Sequence, residues 1–163
     1  MQRFIRNASR GARASAFGIA LAAIALVPLP AGASVDGDVR GGYYADSELG
    51  YFGGGLLSSM GHSNWYFNPN LEIAPSDGPD LFSVNGDFHY DFANSSNTSF
   101  WAGGGPAVLI VDRNVPGDDT DTDLGMNVLM GLGARSGEVR PFGQLKGVLA
   151  DNSQLVLTGG IRF

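Results

Sequence analysis

The stretch Phe82-Ser-Val-Asn-Gly-Asp-Phe-His-Tyr-Asp-Phe92 carries the clearest alternation in the chain. Phe82, Val84, Gly86, Phe88, Tyr90 and Phe92 fall on one parity. Ser83, Asn85, Asp87, His89 and Asp91 fall on the other. Side chains alternate across a strand with period two, so the run predicts a strand with one apolar and one polar face. A helix would scatter the same residues around its circumference.

The pattern recurs on either side. Trp65 to Ala74 sets Trp65, Phe67, Pro69, Leu71 and Ile73 against Tyr66, Asn68, Asn70 and Glu72. Asp123 to Arg135 sets Leu124, Met126, Val128, Met130 and Leu132 against Gly125, Asn127, Leu129 and Gly131. Val139 to Ala150 places Arg140, Gln144 and Lys146 together, opposite Leu145, Leu149 and small residues. Ser153 to Phe163 aligns Leu155, Leu157, Gly159, Ile161 and Phe163. Val39 to Ala45 and Leu49 to Ser59 are rich in glycine and aromatics, and Phe100 to Asp112 turns apolar on both faces at Val108 to Val111. Together these runs predict eight strands. The turns between them are Asp46-Ser47, Met60 to Asn64, Pro75 to Asp80, Ala93 to Asn97, Arg113 to Thr122, Ser136 to Glu138 and Asp151-Asn152, each with residues that turns favour. Strands of small soluble domains usually run about 5–6 residues, whereas a tilted strand crossing hydrocarbon needs about 9–11. The runs here match the longer class.

Composition agrees. Only 16% of residues are charged, against about 25% in ordinary soluble domains. The 25 glycines, without a collagen repeat, argue against helices. Cysteine is absent, which excludes disulfides, thiolate metal sites and a cysteine nucleophile. Residues 1–33 read as a cleavable signal peptide. Arg3, Arg6, Arg10 and Arg13 form a basic start, Phe17 to Val27 a short apolar core, and Ala31-Gly32-Ala33 a small-residue cleavage site. The expected mature domain is 34–163. Losing those four arginines from 10 basic and 16 acidic residues leaves a net charge of −10. Such a chain repels phosphates, so nucleic acid is excluded as a partner.

Alternation does not say which face looks outward, because a soluble barrel around an apolar ligand alternates equally well. The polar parity carries Arg40, Glu72, Asp87, His89, Asp91, Arg140, Lys146 and Arg162, which can pair with one another across a narrow lumen. If Ser34 starts in the periplasm, Trp65, Phe67, Phe88, Tyr90, Phe92, Trp101 and Phe163 fall near one height, the layout of an aromatic membrane girdle. Tyr43, Tyr51 and Phe82 fall at the opposite rim. The predicted fold is therefore all-β, an eight-stranded antiparallel up-and-down transmembrane β-barrel. Its terminal strand, Leu157-Thr-Gly-Gly-Ile-Arg-Phe163, its leader and its strand number resemble the small outer-membrane β-barrels of the outer-membrane-protein-A transmembrane-domain and opacity-protein-like kind. The resemblance implies residence in the outer membrane of a Gram-negative bacterium, outer-membrane lipid as surroundings, and recognition of Phe163 by the barrel-assembly machinery.

Two groups invite a reading as chemical sites. Asp119, Asp121 and Asp123 space carboxylates as a calcium loop begins, but lack the glycine and the distal glutamate of that loop; a solvated acidic turn is the plainer reading. Asp87, His89 and Asp91 share a face, yet alternate strand residues lie nearly 7 Å apart, so a hydrogen-bonded lumen network is expected rather than one shared ion. The glycine runs 53–55 and 103–105 lack the Lys-Ser/Thr of a phosphate loop and are expected to relieve crowding. No cofactor is implied. The leading expectation is a non-enzymatic outer-membrane barrel in a structural or surface-interaction role, its lumen filled by polar and charged side chains. A narrow channel or small-molecule carrier, and a soluble periplasmic ligand-binding barrel, are the alternatives. A lipid-modifying enzyme would need a Ser–His pair near the outer rim, and the two histidines, His62 and His89, are both placed toward the other end.

Overall fold

The structure, a computed structural model, describes residues 34–92, 96–112 and 121–163. The segment read as a signal peptide and Asp119 lie outside them. Eight antiparallel strands follow one another: β1 (Val35–Tyr44), β2 (Leu49–Ser59), β3 (Trp65–Ala74), β4 (Asp80–Phe92), β5 (Thr98–Asp112), β6 (Asp121–Ala134), β7 (Arg140–Leu149) and β8 (Gln154–Arg162). Each pairs with its chain neighbours, and β8 pairs with β1, closing the barrel. Closure leaves no unpaired sheet edge, which a strand surrounded by lipid requires.

The expected strands differ from these mainly at their ends. β1 starts at Val35 rather than Val39, because Val35 to Asp38 pair with Ser58 to Gly55. In the barrel Asp38 points inward onto Arg40, and its charge is accommodated there. The first turn spans Ala45–Glu48, where Glu48 adopts a left-handed conformation (φ 55°). Gly61 and Gly137 supply positive φ in turns at the opposite end, where glycine carries no steric cost.

Pro69 brings no N–H to the ladder opposite Leu56, and Asn68 Nδ2 donates to the Leu56 carbonyl instead (2.8 Å). Proline in mid-strand is tolerated here because a neighbouring side chain provides the missing donor.

The closed ladder fixes every parity. Leu124, Met126, Val128, Met130 and Leu132 of β6 all point out, with Leu124 79% exposed. Leu155, Leu157 and Ile161 of β8 and Val39 and Tyr43 of β1 continue that exterior. Inward residues on the same strands are buried or half-buried. Exposed apolar surface on this scale has no place in water, and it defines a surface made for hydrocarbon.

Candidate functional site

Eight strands enclose a lumen just wide enough for side chains to fill. The end that carries Ser34 and Phe163 is the terminal rim; the other is the far rim. Going inward from the far rim, the first layer is apolar. Tyr44, Tyr51, Leu81, Leu109, Val148 and Val156 are all buried in one cluster with Ala74 and Ala107. Parity explains it: the apolar stretch Val108 to Val111 points Leu109 into this cluster and Val108 toward the exterior.

Beneath it sits an ion pair. Lys146 Nζ lies 2.7 Å from both Glu72 oxygens, and neither side chain reaches solvent. Tyr44 donates its hydroxyl to Glu72 Oε2 (2.5 Å), tying the apolar layer to the charged one. Next comes an amide layer. Asp87 accepts from Asn70 (2.9 Å) and Asn127 (2.7 Å), while Asn127 and Ser83 both donate to Asn85 Oδ1. Arg40 forms a bidentate pair with Asp38 at 2.7 and 2.6 Å and also donates to Asn68. Such forked pairs are strong and directional.

Toward the terminal rim the lumen turns aromatic. Trp101 is 2% exposed and donates from Nε1 to Gln144 (3.3 Å). The Arg162 guanidinium lies over Trp101 at 4.3 Å and over Phe142 at 4.7 Å. His89 stacks between Tyr66 and Trp101, with ring centroids 5.6 Å apart on each side. At the mouth, Arg140 pairs with Asp36 (2.7 Å) and Ser99 donates to Asp91 (2.6 Å).

The structure thus places Arg40, Glu72, Asp87, His89, Asp91, Arg140, Lys146 and Arg162 inward, but not in one network. Asp87, His89 and Asp91, adjacent on their face of β4, divide among the amide layer, the ring stack and the mouth. His89 is flanked by the rings of Tyr66 and Trp101. Its Nε2 is 3.6 Å from Asp91 and has no hydrogen-bond partner among the described residues. Asp121 and Asp123 begin β6, and among the described residues no three His, Asp or Glu side chains converge as metal ligands.

The aromatic girdle needs one correction. Trp65, Phe88, Phe92 and Phe163 are exposed on the exterior, with Phe67 and Tyr90 half-buried beside them. Trp65 faces Tyr90 and Phe67 stacks on Phe88 at 4.6 Å, each pair directly opposite across β3 and β4. Trp101, however, lies in the lumen. It is the cross-strand partner of Asp91, which points inward, so Trp101 must point inward too. Phe100, opposite Phe92 and 48% exposed, takes the exterior place. Tyr51 is likewise a lumen residue, 5% exposed, sharing a short contact (2.5 Å) with Thr158.

Glycines make the large lumen side chains possible. A Cβ on Gly131 would stand 2.5 Å from Trp101 Cζ2, and one on Gly160 would stand 2.6 Å from Phe142 Cε1. Both glycines face inward on strands adjoining those rings. Gly103, opposite His89, serves a different end: a Cβ there would meet the Phe88 carbonyl oxygen at 2.0 Å and His89 Cα at 2.5 Å, so the glycine permits the close approach of the β4 backbone. The run 103–105 therefore relieves crowding against the backbones of β4 and β6, and it lies within a strand that continues to Asp112 rather than ahead of a helix as in a phosphate loop.

The class is now defined. A closed eight-stranded antiparallel barrel, apolar outside and polar inside, is the fold of the small outer-membrane β-barrels. No family model matches the chain, and no curated protein matches it in sequence. Solved structures do match in fold. The N-terminal β-barrel domain of Pseudomonas aeruginosa OprF superposes with a TM-score of 0.67 at 14% identity, covering 79% of this chain and 95% of that one. Neisserial surface protein A gives 0.58 at 16% identity, covering 80% and 95%. The outer-membrane enzyme PagL gives 0.53 at 16% identity, covering 78% and 98%. The chain spans nearly the whole of each.

Proposed function

We propose that this protein is a non-catalytic structural or surface-interaction barrel of the bacterial outer membrane, closed to solute by its own side chains, with its terminal rim toward the periplasm. The observation that carries the reading is the layered lumen. An apolar cluster at the far rim and a solvent-free Lys146–Glu72 pair beneath it fill the cross-section of a barrel already too small for a porin channel. The channel reading would need a continuous wetted path, and the carrier reading a cavity among the apolar residues. Tyr44, Val148 and Val156, each 1% exposed or less, fill that space instead. A soluble ligand-binding barrel would carry its apolar face inside, opposite to the exterior of β6 and β8.

Likeness to an enzyme of the same fold makes the catalytic reading worth testing against the residues. Nucleophilic chemistry needs a base that accepts the hydroxyl proton. Near His89 the order is wrong: the Asp91 carboxylate lies between Ser99 and the imidazole, so Ser99 hands its hydrogen bond to the acid. His62 lies exposed in the β2–β3 turn at the terminal rim. Phe163 pairs its backbone with Gly37 (3.0 Å each way) and is 59% exposed, which supports its reading as the residue that the barrel-assembly machinery recognises.

Planar-bilayer recording on the refolded protein tests this. No unitary conductance is expected, together with faster gel migration of the unboiled protein. Steady ion conductance would replace the closed-barrel reading with the channel.

A further inference from the structure

Seven of the eight ladders join strands consecutive in the chain; β1–β8 alone does not. Parting that ladder frees two strands, whereas the strands of every other ladder stay tethered by the short segment between them. Its middle is also thin. The rungs Arg40–Gly160, Gly41–Gly159 and Gly42–Thr158 each contain a glycine. None of them makes a side-chain pair between the two strands, the contact that stabilises a sheet beyond its backbone bonds. Gly37 and Phe163 exchange both backbone hydrogen bonds (3.0 Å each). The antiparallel pattern repeats every second rung, so the N–H groups of Gly41 and Gly159 bond across this same seam. At the far rim the first turn holds the seam: Asp46 accepts from the Leu155 N–H (2.6 Å) and Ser47 donates to Gln154 (2.9 Å). Parting therefore starts from the terminal rim.

Two lumen side chains cross the seam. Tyr51 of β2 lies over Gly42, its partner on β1, and its hydroxyl meets Thr158 Oγ1 of β8 (2.5 Å). A Cβ on Gly42 would stand 2.6 Å from Tyr51 Cε1. Phe142 of β7 lies over Gly160, its partner on β8, and its ring centroid is 5.9 Å from Arg40 Cζ of β1, within reach of a cation–π contact. The two glycines occupy adjacent inward rungs, and the aromatic rings reach over them from opposite sides. Each ring ties one hairpin to the seam strand of the other: β1–β2 to β8, and β7–β8 to β1. We propose that the β1–β8 seam is the line along which this barrel opens, and that Tyr51 and Phe142 are its latches. An open seam exposes unpaired N–H and C=O groups to hydrocarbon, which keeps the open state rare. The latches make it rarer, because both contacts are lost once the strands separate. This inference goes beyond the closed-barrel reading, which concerns passage along the axis; the seam opens sideways, toward lipid.

Local opening is read by amide hydrogen exchange, measured on the folded barrel in uncharged detergent micelles. The amides of Gly41 and Gly159 are compared with those bonded across β4–β5, where Ser83 faces Leu109 and Val84 faces Val108. Corrected for intrinsic rates, the two seam amides should exchange at least about tenfold faster. Tyr51→Phe keeps the ring and removes the hydroxyl. It should speed the seam amides by a further factor of at least about three and leave β4–β5 unchanged. Phe142→Leu, which withdraws the ring from above Gly160, should act on the same amides. Val39→Cys with Ile161→Cys, directly opposite on the exterior of the seam, bridges the two strands when oxidised. In the bridged protein Tyr51→Phe should no longer affect Gly41 and Gly159. Seam amides that exchange no faster than those of β4–β5 in the parent overturn the line of opening. An effect of a folded latch variant that is absent, or equal at both ladders, overturns the latch, as does a Tyr51→Phe effect undiminished by the bridge. These readouts are independent of the bilayer recording, so the seam and the closed lumen fail separately.

Discussion

Replacing Lys146 by Met is the most informative single change in the lumen, because it strips the Glu72 carboxylate of its counter-charge and leaves only the hydroxyl of Tyr44. Unit charges about 3 Å apart attract by roughly 5–6 kcal/mol at an effective dielectric of about 20. Desolvating each ion costs several kcal/mol, so the intact pair is close to neutral against an apolar replacement. The single variant is different: it keeps the desolvation of Glu72 and loses the attraction. A loss of about 3–5 kcal/mol is expected for Lys146→Met, and a similar loss for Glu72→Leu, which strands the ammonium. The double variant should recover to within about 2 kcal/mol of the parent, giving a coupling energy above about 3 kcal/mol. The assay is reversible urea unfolding in phospholipid vesicles, followed by tryptophan emission, with parent, singles and double measured side by side. A Lys146→Met cost below about 1 kcal/mol, or a double variant losing the sum of the singles, would refute the reasoning. Either outcome would mean that water reaches the pair and that the layer above it does not seal the far rim.

Three further outcomes follow from named contacts. Val128→Arg, midway along the exterior of β6, should cost about 2–4 kcal/mol in vesicles, whereas Leu124→Arg near the far rim should cost no more than about 1; equal costs would mean that β6 does not cross hydrocarbon. Gly131→Val forces a side chain into the Trp101 ring and should lose about 1–3 kcal/mol with a red shift of the buried emission, while Gly159→Ala, where an added Cβ meets open space, should change stability by less than about 1. Phe163→Ser should leave the stability of refolded protein within about 1 kcal/mol of the parent yet reduce the amount assembled in the cell envelope, measured as the heat-modifiable band; normal assembly would remove the role proposed for the terminal ring.

Strand number, strand order and most facings were legible because closure imposes one parity on each strand, and alternation reads parity directly. Phe82 to Phe92 needed nothing more. Legibility failed where both parities carry the same kind of residue. Phe100 and Trp101 are adjacent aromatics, so the pattern alone could not say which one met lipid, and Trp101 was assigned by height. The signal that resolves it is non-local: Gly131, the cross-strand partner of Trp101 on β6, faces the lumen and leaves room there for one large ring. The apolar layer was hidden for a related reason. Val108 to Val111 is apolar throughout because Leu109 plugs the lumen while Val108 and Ile110 point outward. Sequence gave the polar residues of the lumen as one set. It could not sort them into layers, since that depends on the stagger of each strand relative to the next.

That layering turns a list of inward residues into a mechanism of closure. A charged lumen open at both ends would hold water, and water would screen Glu72 from Lys146 and let ions pass between them. Hydrocarbon at the far rim removes water from one side, which strengthens every hydrogen bond below it and raises the cost of leaving any of them unmade. Tyr44 joins the two regimes, packing its ring with Tyr51 at 5.2 Å and donating its hydroxyl to Glu72. The sequence of layers therefore has a direction. Glu72, directly beneath the plug, is paired with both Lys146 and Tyr44. Nearer the terminal rim, Asp91 Oδ1 and Arg162 Nε are buried without hydrogen-bond partners among the described residues. Closure is therefore built from the far rim, where apolar packing and the Glu72–Lys146 pair coincide, and the lumen below it is held by hydrogen bonds and rings in turn.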